Sequence, residues 1–144
     1  MKKDVIIQIH GNQRVDGKDN PMELITQGTF YEKNGNYYII YDETDATGFD
    51  GSKTTLKVEG QRRVTMTRSG STRSHLIIEK QLRHLCQYGT PCGEILIGVF
   101  ANHIENELND SGGKLSFRYS LDINAAAASE NKVDILVKER KATL

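Results

Sequence analysis

The sequence has no apolar run long enough to cross a membrane, which takes about 18 such residues. The short apolar run near the N-terminus is broken by Asp4, Gln8 and His10, a pattern that differs from a signal peptide. We therefore expect a cytoplasmic protein with no membrane partner. The only two cysteines, Cys86 and Cys92, are then expected to be reduced, although the turn between them would allow a disulfide.

The sequence also has no net charge, but its charged residues are unevenly distributed. Residues 53–84 carry eight basic and two acidic side chains, so this segment is a candidate surface for an anionic partner. The same segment contains no Phe, Tyr or Trp, which argues against the base stacking used to bind single-stranded nucleic acid. We expect neighbouring strands to offset most of this charge, and we expect no nucleic-acid partner.

The clearest pattern that is present lies in Gly113–Ile123, where apolar and polar residues alternate. One face of this segment would hold Leu115, Phe117, Tyr119, Leu121 and Ile123. Because strand side chains point alternately to opposite faces, the pattern predicts a strand with one buried and one solvated face. Such strands are typical of antiparallel sheets.

Similar but less regular patterns recur along the whole chain. They predict further strands at Asp4–His10, Met22–Lys33, Tyr37–Asp42, Thr54–Glu59, Arg62–Ser69, Ser74–Glu79, Gly93–Asn102 and Val133–Val137, and a turn followed by a strand within Lys80–Tyr88. Between strands, the composition predicts a polar loop over residues 11–21, one helical turn over 104–110 and a hairpin loop over 124–131. No predicted helix is long enough for a βαβ crossover. The expected fold is therefore all-β, with residues 1–144 forming one antiparallel barrel domain of eight to ten strands.

One charged side chain falls on an apolar face. Arg68 shares its predicted face with Val64 and Met66, so the alternation points it into the barrel. A guanidinium stays charged, and a buried one needs an acid, carbonyl groups or an anionic ligand. We predict Arg68, Tyr88 and Tyr119 as ligand-binding residues. The alternatives are a structural salt bridge or a solvent-reaching position for Arg68, and ordinary core packing for the tyrosines.

No motif in the sequence indicates an enzyme or a metal centre. A G-x-S-x-G motif and a phosphate-binding glycine loop are both missing, so no catalytic residue is assigned and enzymatic activity is left open. His84, Cys86, Cys92 and His103 do not have the spacings of zinc ligands, and the acids within residues 43–53 do not fit a calcium-binding EF-hand loop. We expect no metal and no cofactor.

Several segments taken together resemble a known family over about residues 22–137. They are YYIIYDE, KTTLKV, MTRSG, YGTPCGEILIG and LSFRYSLDIN. The chain is similar in these segments to the YwiB-like family of uncharacterised bacterial proteins. This resemblance implies a calycin-like, lipocalin-like β-barrel, and barrels of that kind often hold a small ligand in their mouth.

Two functional hypotheses follow. In the first, the barrel binds a small anionic or amphipathic molecule in its interior, with Arg68 placing an anionic group. In the second, side chains fill the barrel, and the basic outer face of residues 53–84 serves as an interaction module for a protein or nucleic acid. A cavity of roughly 300 Å³ or more would favour the first hypothesis. For either function, we also consider that two copies of the chain form a homodimer.

Overall fold

The computed structural model describes residues 2–44, 49–90 and 92–140. Within these ranges the chain forms ten strands and no helix. The strands are β1 (Lys3–Val15), β2 (Lys18–Lys33), β3 (Asn36–Asp42), β4 (Ser52–Glu59), β5 (Arg63–Gly70), β6 (Ser74–Glu79), β7 (Arg83–Thr90), β8 (Gly93–Asn109), β9 (Gly112–Ile123) and β10 (Ala126–Glu139). None of these described ranges offers a helix that is long and apolar enough to span a membrane.

The ten strands form one closed antiparallel barrel. Each strand pairs with its neighbour in sequence, and β1 also pairs with β10 to close the sheet. Ile7 on β1, for example, lies opposite Thr26 of β2 on one side and Val137 of β10 on the other. Closure pairs the edges that an open sheet would expose. The predicted all-β antiparallel barrel is confirmed, with the strand number at the upper limit of the predicted range.

The polar loop predicted over residues 11–21 is wrong. These residues extend β1 and β2 into a long hairpin whose turn is Asp16-Gly17, with φ values of 52° and 75°. An Asp-Gly pair with positive φ at both positions is a common two-residue hairpin turn. The strands are polar here because the tip of the hairpin extends past the core, where residues 14–20 are exposed.

The helical turn predicted over residues 104–110 is also wrong, because β8 continues as a strand to Asn109. A β-bulge between Ala101 and His103 shifts its register against β9, and Ile104 is buried beyond that bulge. The end of β8 also contacts the turn between β4 and β5. There the backbone N–H of Asn106 donates to Gln61 Oε1 over 2.8 Å, and Gln61 Nε2 donates to the Asn106 carbonyl over 2.7 Å.

The hairpin loop predicted over residues 124–131 is shorter than expected. Strand β10 already begins at Ala126, and the turn consists of Asn124-Ala125 with φ values of 52° and 67°. Alanine rarely adopts positive φ, and this turn contains no glycine. The sequence therefore gives no indication of a two-residue turn here. The strand predicted within residues 80–88 is confirmed as β7.

The interior differs between the two ends of the barrel. We call the end formed by the turns after β2, β4, β6 and β8 the closed end, and the other the open end. Large apolar side chains fill the closed end and the middle, among them Phe30, Leu56, Ile78, Leu115 and Phe117, all no more than 1% exposed. Toward the open end the buried residues become polar and include Glu43, Ser52, Thr54, Arg68 and Ser74.

Candidate ligand-binding site

A cavity of about 340 Å³ lies at the open end. Eight of the ten strands contribute to its wall, together with Glu43 and Phe49, which lie between β3 and β4. Its apolar lining consists of Ile9, Pro21, Met22, Phe49, Met66, Leu76, Leu121 and Val133. This volume exceeds the roughly 300 Å³ that would favour a ligand inside the barrel over an interaction module. It is also within the usual range for small-molecule sites.

The structure brings the three predicted site residues together at this cavity. Arg68 on β5, Tyr88 on β7 and Tyr119 on β9 all line it. Strand alternation explains the arrangement, because each side chain lies on the inward face near the open end of its strand. Their role in ligand binding stays a prediction.

Arg68 has an acidic partner inside the barrel. Its Nη2 donates to Glu43 Oε2 over 3.2 Å, and the two side chains are 7% and 2% exposed. Its Nε donates to Thr54 Oγ1 over 3.4 Å. The Phe49 ring covers the guanidinium, with its centroid 3.7 Å from Arg68 Cζ. The structural salt bridge, considered above as an alternative for Arg68, is therefore present.

Glu43 was not identified as a site residue from the sequence, in which it was considered only among the acids of residues 43–53 tested for calcium binding. The alternation of β3 contains the missing signal, because Ile39 and Tyr41 are buried and Glu43 is the next residue of the same parity. Its Oε1 atom is also buried, and no hydrogen-bond partner for it occurs among the described residues. A buried acceptor without a partner is unfavourable, so this oxygen is a candidate contact for a ligand.

Two phenol groups of the cavity wall, those of Tyr41 and Tyr119, stay protonated at neutral pH. Burial, assisted by the nearby Tyr88, raises the pKa of Tyr119 to about 12. Burial and the Glu43 carboxylate also raise the pKa of Tyr41 well above its usual value. Both hydroxyls can therefore donate as well as accept hydrogen bonds.

The basic residues of segment 53–84 are mostly neutralised. Six of the eight have an acidic partner within ion-pair distance: Lys53 with Asp42, Lys57 with Glu59, Arg62 with Glu79, Arg63 with Glu59 and Glu79, Arg68 with Glu43, and Arg83 with Asp122. These acids lie on the same strand or on neighbouring strands and turns. The outer face of this segment is therefore a mixed surface rather than a basic one.

The two cysteines considered above for a disulfide lie in different environments. Cys86 is buried in the barrel wall, Cys92 is exposed, and both are free thiols. Burial raises the pKa of the Cys86 thiol, whose Sγ accepts a hydrogen bond from the Ile77 backbone N–H. Within the part of the chain that the structure describes, no three His, Cys, Asp or Glu side chains come together to hold a metal ion.

Comparisons with known proteins agree with this architecture. The "Uncharacterized beta-barrel protein YwiB" of Bacillus subtilis (strain 168) is 26% identical over 126 residues, which cover 85% of this chain and 86% of that protein. The crystal structure of the ywiB protein from Bacillus subtilis superimposes with a TM-score of 0.85 at 19% identity, covering 97% of this chain and 94% of that one. These matches confirm the resemblance to the YwiB-like family. The family described as "Domain of unknown function (DUF1934)" matches residues 7–135, and the chain belongs to this family.

Proposed function

We propose that this protein binds a small amphipathic molecule in the open-end cavity, acting as a cytoplasmic, lipocalin-like barrel of a bacterium. The cavity combines an apolar wall with a small number of polar groups, which is the composition usual for small-molecule sites. Its volume of about 340 Å³ lies at the lower end of the usual range for such sites, so it suits a small ligand. This ligand is the small molecule expected from the sequence.

The Arg68–Glu43 ion pair in the cavity wall is the observation that carries the proposal. Both side chains are at least nine-tenths buried, although a buried ion pair is often no more stabilising than apolar residues of similar volume. Folding alone therefore does not account for charged groups in this part of the barrel. A role in recognising the polar end of a ligand would account for these charged groups.

The interaction-module hypothesis has less support. It requires a filled barrel and a basic outer face, whereas the barrel has a cavity and most of the basic side chains are paired with acids. Paired surface charges attract a charged partner less strongly than free ones, because their fields largely cancel. We therefore propose the ligand-binding function alone.

Blocking the cavity mouth tests the proposal. Met22 lies on the inward face of β2 at the open end, and Ile25 lies on the outward face of the same strand with 61% exposure. We expect Met22→Trp to weaken binding of octanamide, an eight-carbon amphipath, by at least tenfold in isothermal titration calorimetry. Ile25→Trp is the matched control and should bind like the wild type. Equal binding by the two variants would place the ligand outside the cavity.

Native mass spectrometry provides a second readout. A co-purified mass that is lost on denaturation should accompany the wild type and Ile25→Trp, and should be reduced in Met22→Trp. The same spectra would report whether the protein is a monomer or a homodimer. A co-purified mass retained by Met22→Trp would contradict the proposed site.

A further inference from the structure

We propose that the polar head of the ligand is a neutral hydrogen-bond donor, and that Glu43 rather than Arg68 recognises it. This inference rests on the proposed function, because it names the chemical class of ligand that the same cavity takes. The class is a primary amide or a hydroxyl group attached to an apolar body. It differs from the anionic group that a buried arginine suggests when the sequence is considered alone.

The contacts of Arg68 make an anionic ligand less favourable. Glu43 Oε2 already neutralises the guanidinium charge, and the hydroxyl of Thr54 accepts from its Nε. The ring of Phe49 covers one face of the same group. A ligand carboxylate or phosphate bound at Arg68 would also lie near the Glu43 carboxylate, so repulsion would offset part of the attraction.

Glu43 has the opposite property, because one of its oxygens is still free to accept. Oε2 is used by Arg68, while Oε1 is buried without a hydrogen-bond partner among the described residues. A donor on the ligand would satisfy this acceptor, and a hydrogen bond to a charged group is stronger than one between neutral groups. The free acceptor therefore selects a ligand that carries an N–H or O–H group.

A cationic head fits less well than a neutral one. An ammonium group bound at Glu43 would lie close to Arg68, whose Nη2 is only 3.2 Å from the other carboxylate oxygen. The ion pair is neutral as a unit, so an added charge of either sign meets a like charge nearby. The hydroxyls of Tyr88 and Tyr119 on the same cavity wall can donate to a carbonyl or hydroxyl oxygen of the head.

Four probes with the same apolar chain separate these possibilities in isothermal titration calorimetry. They are octanamide, methyl octanoate, octanoate and octylamine. We expect octanamide to bind about tenfold more tightly than methyl octanoate, which lacks a donor, and more tightly than both charged compounds. Equal binding of octanamide and methyl octanoate would overturn the inference, as would tightest binding of octanoate or octylamine. If none of the four binds, the proposed function itself fails.

A single substitution should reverse the preference. In Glu43→Gln, the amide oxygen faces Arg68, so the free position changes from an acceptor to a donor and Arg68 loses its neutralising charge. We expect octanoate to bind at least tenfold more tightly than to the wild type, and octanamide to bind several-fold more weakly. Glu23→Gln, which removes the same charge from an exposed side chain of β2, is the control and should change neither affinity by more than twofold. Unchanged octanoate binding in folded Glu43→Gln would contradict the assignment of Glu43. If this variant does not fold, the four-probe series on the wild type tests whether the ligand head is a neutral donor.

Discussion

The two ends of this barrel are built from the same strands but differ in chemistry. On β9, Leu115 and Phe117 are completely buried toward the closed end, whereas Tyr119 and Leu121 line the cavity at the open end. On β5, Val64 is buried toward the closed end, whereas Arg68 lies toward the open end. The comparison indicates a division of roles, in which the closed end supplies stability and the open end carries the proposed binding site. This division also explains how one barrel can bury charged groups at the open end while its apolar core at the closed end stays intact.

The largest expected effect comes from truncating one buried side chain at each end of β9. We expect Phe117→Ala to lower the free energy of unfolding by about 3–5 kcal/mol, because it leaves a void in close-packed surroundings. We expect Leu121→Ala to cost about 2 kcal/mol or less, because it only enlarges a cavity that already exists. Denaturant-induced unfolding measures both values, and equal losses would show that the two ends are packed alike.

The next largest effect concerns the open-end ion pair. We expect Arg68→Leu to lower the free energy of unfolding by about 3 kcal/mol, because Glu43 is left buried without its partner. The double variant Arg68→Leu/Glu43→Leu should recover most of this loss. The exposed Lys53–Asp42 pair is the control, and Lys53→Leu should cost about 0.5 kcal/mol or less. A double variant as unstable as the single one would mean that the pair supports the fold in some other way.

A smaller effect on stability is expected from substituting two glycines on the inward face of the barrel. A Cβ at Gly28 would collide with the Ile40 carbonyl and the Ile7 side chain, so Gly28→Ala should cost about 1–3 kcal/mol. At Gly11 the nearest atom is the flexible Met22 Cε at 3.2 Å, so Gly11→Ala should change stability by about 0.5 kcal/mol or less. Thermal unfolding of the two variants compares them directly. A larger loss at Gly11 would mean that the open end is packed as tightly as the middle.

The smallest effect concerns the charged rim of the closed end. Arg63 lowers the pKa of Glu59, and His84, with Arg62 and Arg63, lowers the pKa of Glu79. Because the folded state favours the ionised carboxylates, their contribution is complete above the unfolded pKa of about 4.5 and is lost as the pH falls through the lower folded values. Melting temperatures measured from pH 6 to pH 3 should therefore fall less steeply for Glu59→Gln than for wild type. Glu23→Gln is the control on the exposed surface, and a slope for Glu59→Gln that matches wild type would exclude this contribution.

Much of the fold could be predicted from alternation, because period-two patterns report which face of a strand is buried. The same reasoning placed Arg68 inside the barrel, with Tyr119 on the dry face of β9. It failed at residues 11–21, where strands extend past the core and lose their apolar face, and at Asn124-Ala125, where a turn forms without glycine. Glu43 was missed because its partner lies 25 residues away in sequence. The cavity depends on the packing of side chains from eight strands, which no local pattern reports.

The pairing of β1 with β10 has a consequence for how the protein is made. The ring of hydrogen bonds cannot be completed until residues 126–139 have been synthesised. Until then a partly folded sheet would expose unpaired strand edges, which readily join other chains. At typical elongation rates the interval between finishing β9 and finishing β10 is roughly one to three seconds. Translation speed through this last segment would therefore influence how much newly made protein aggregates.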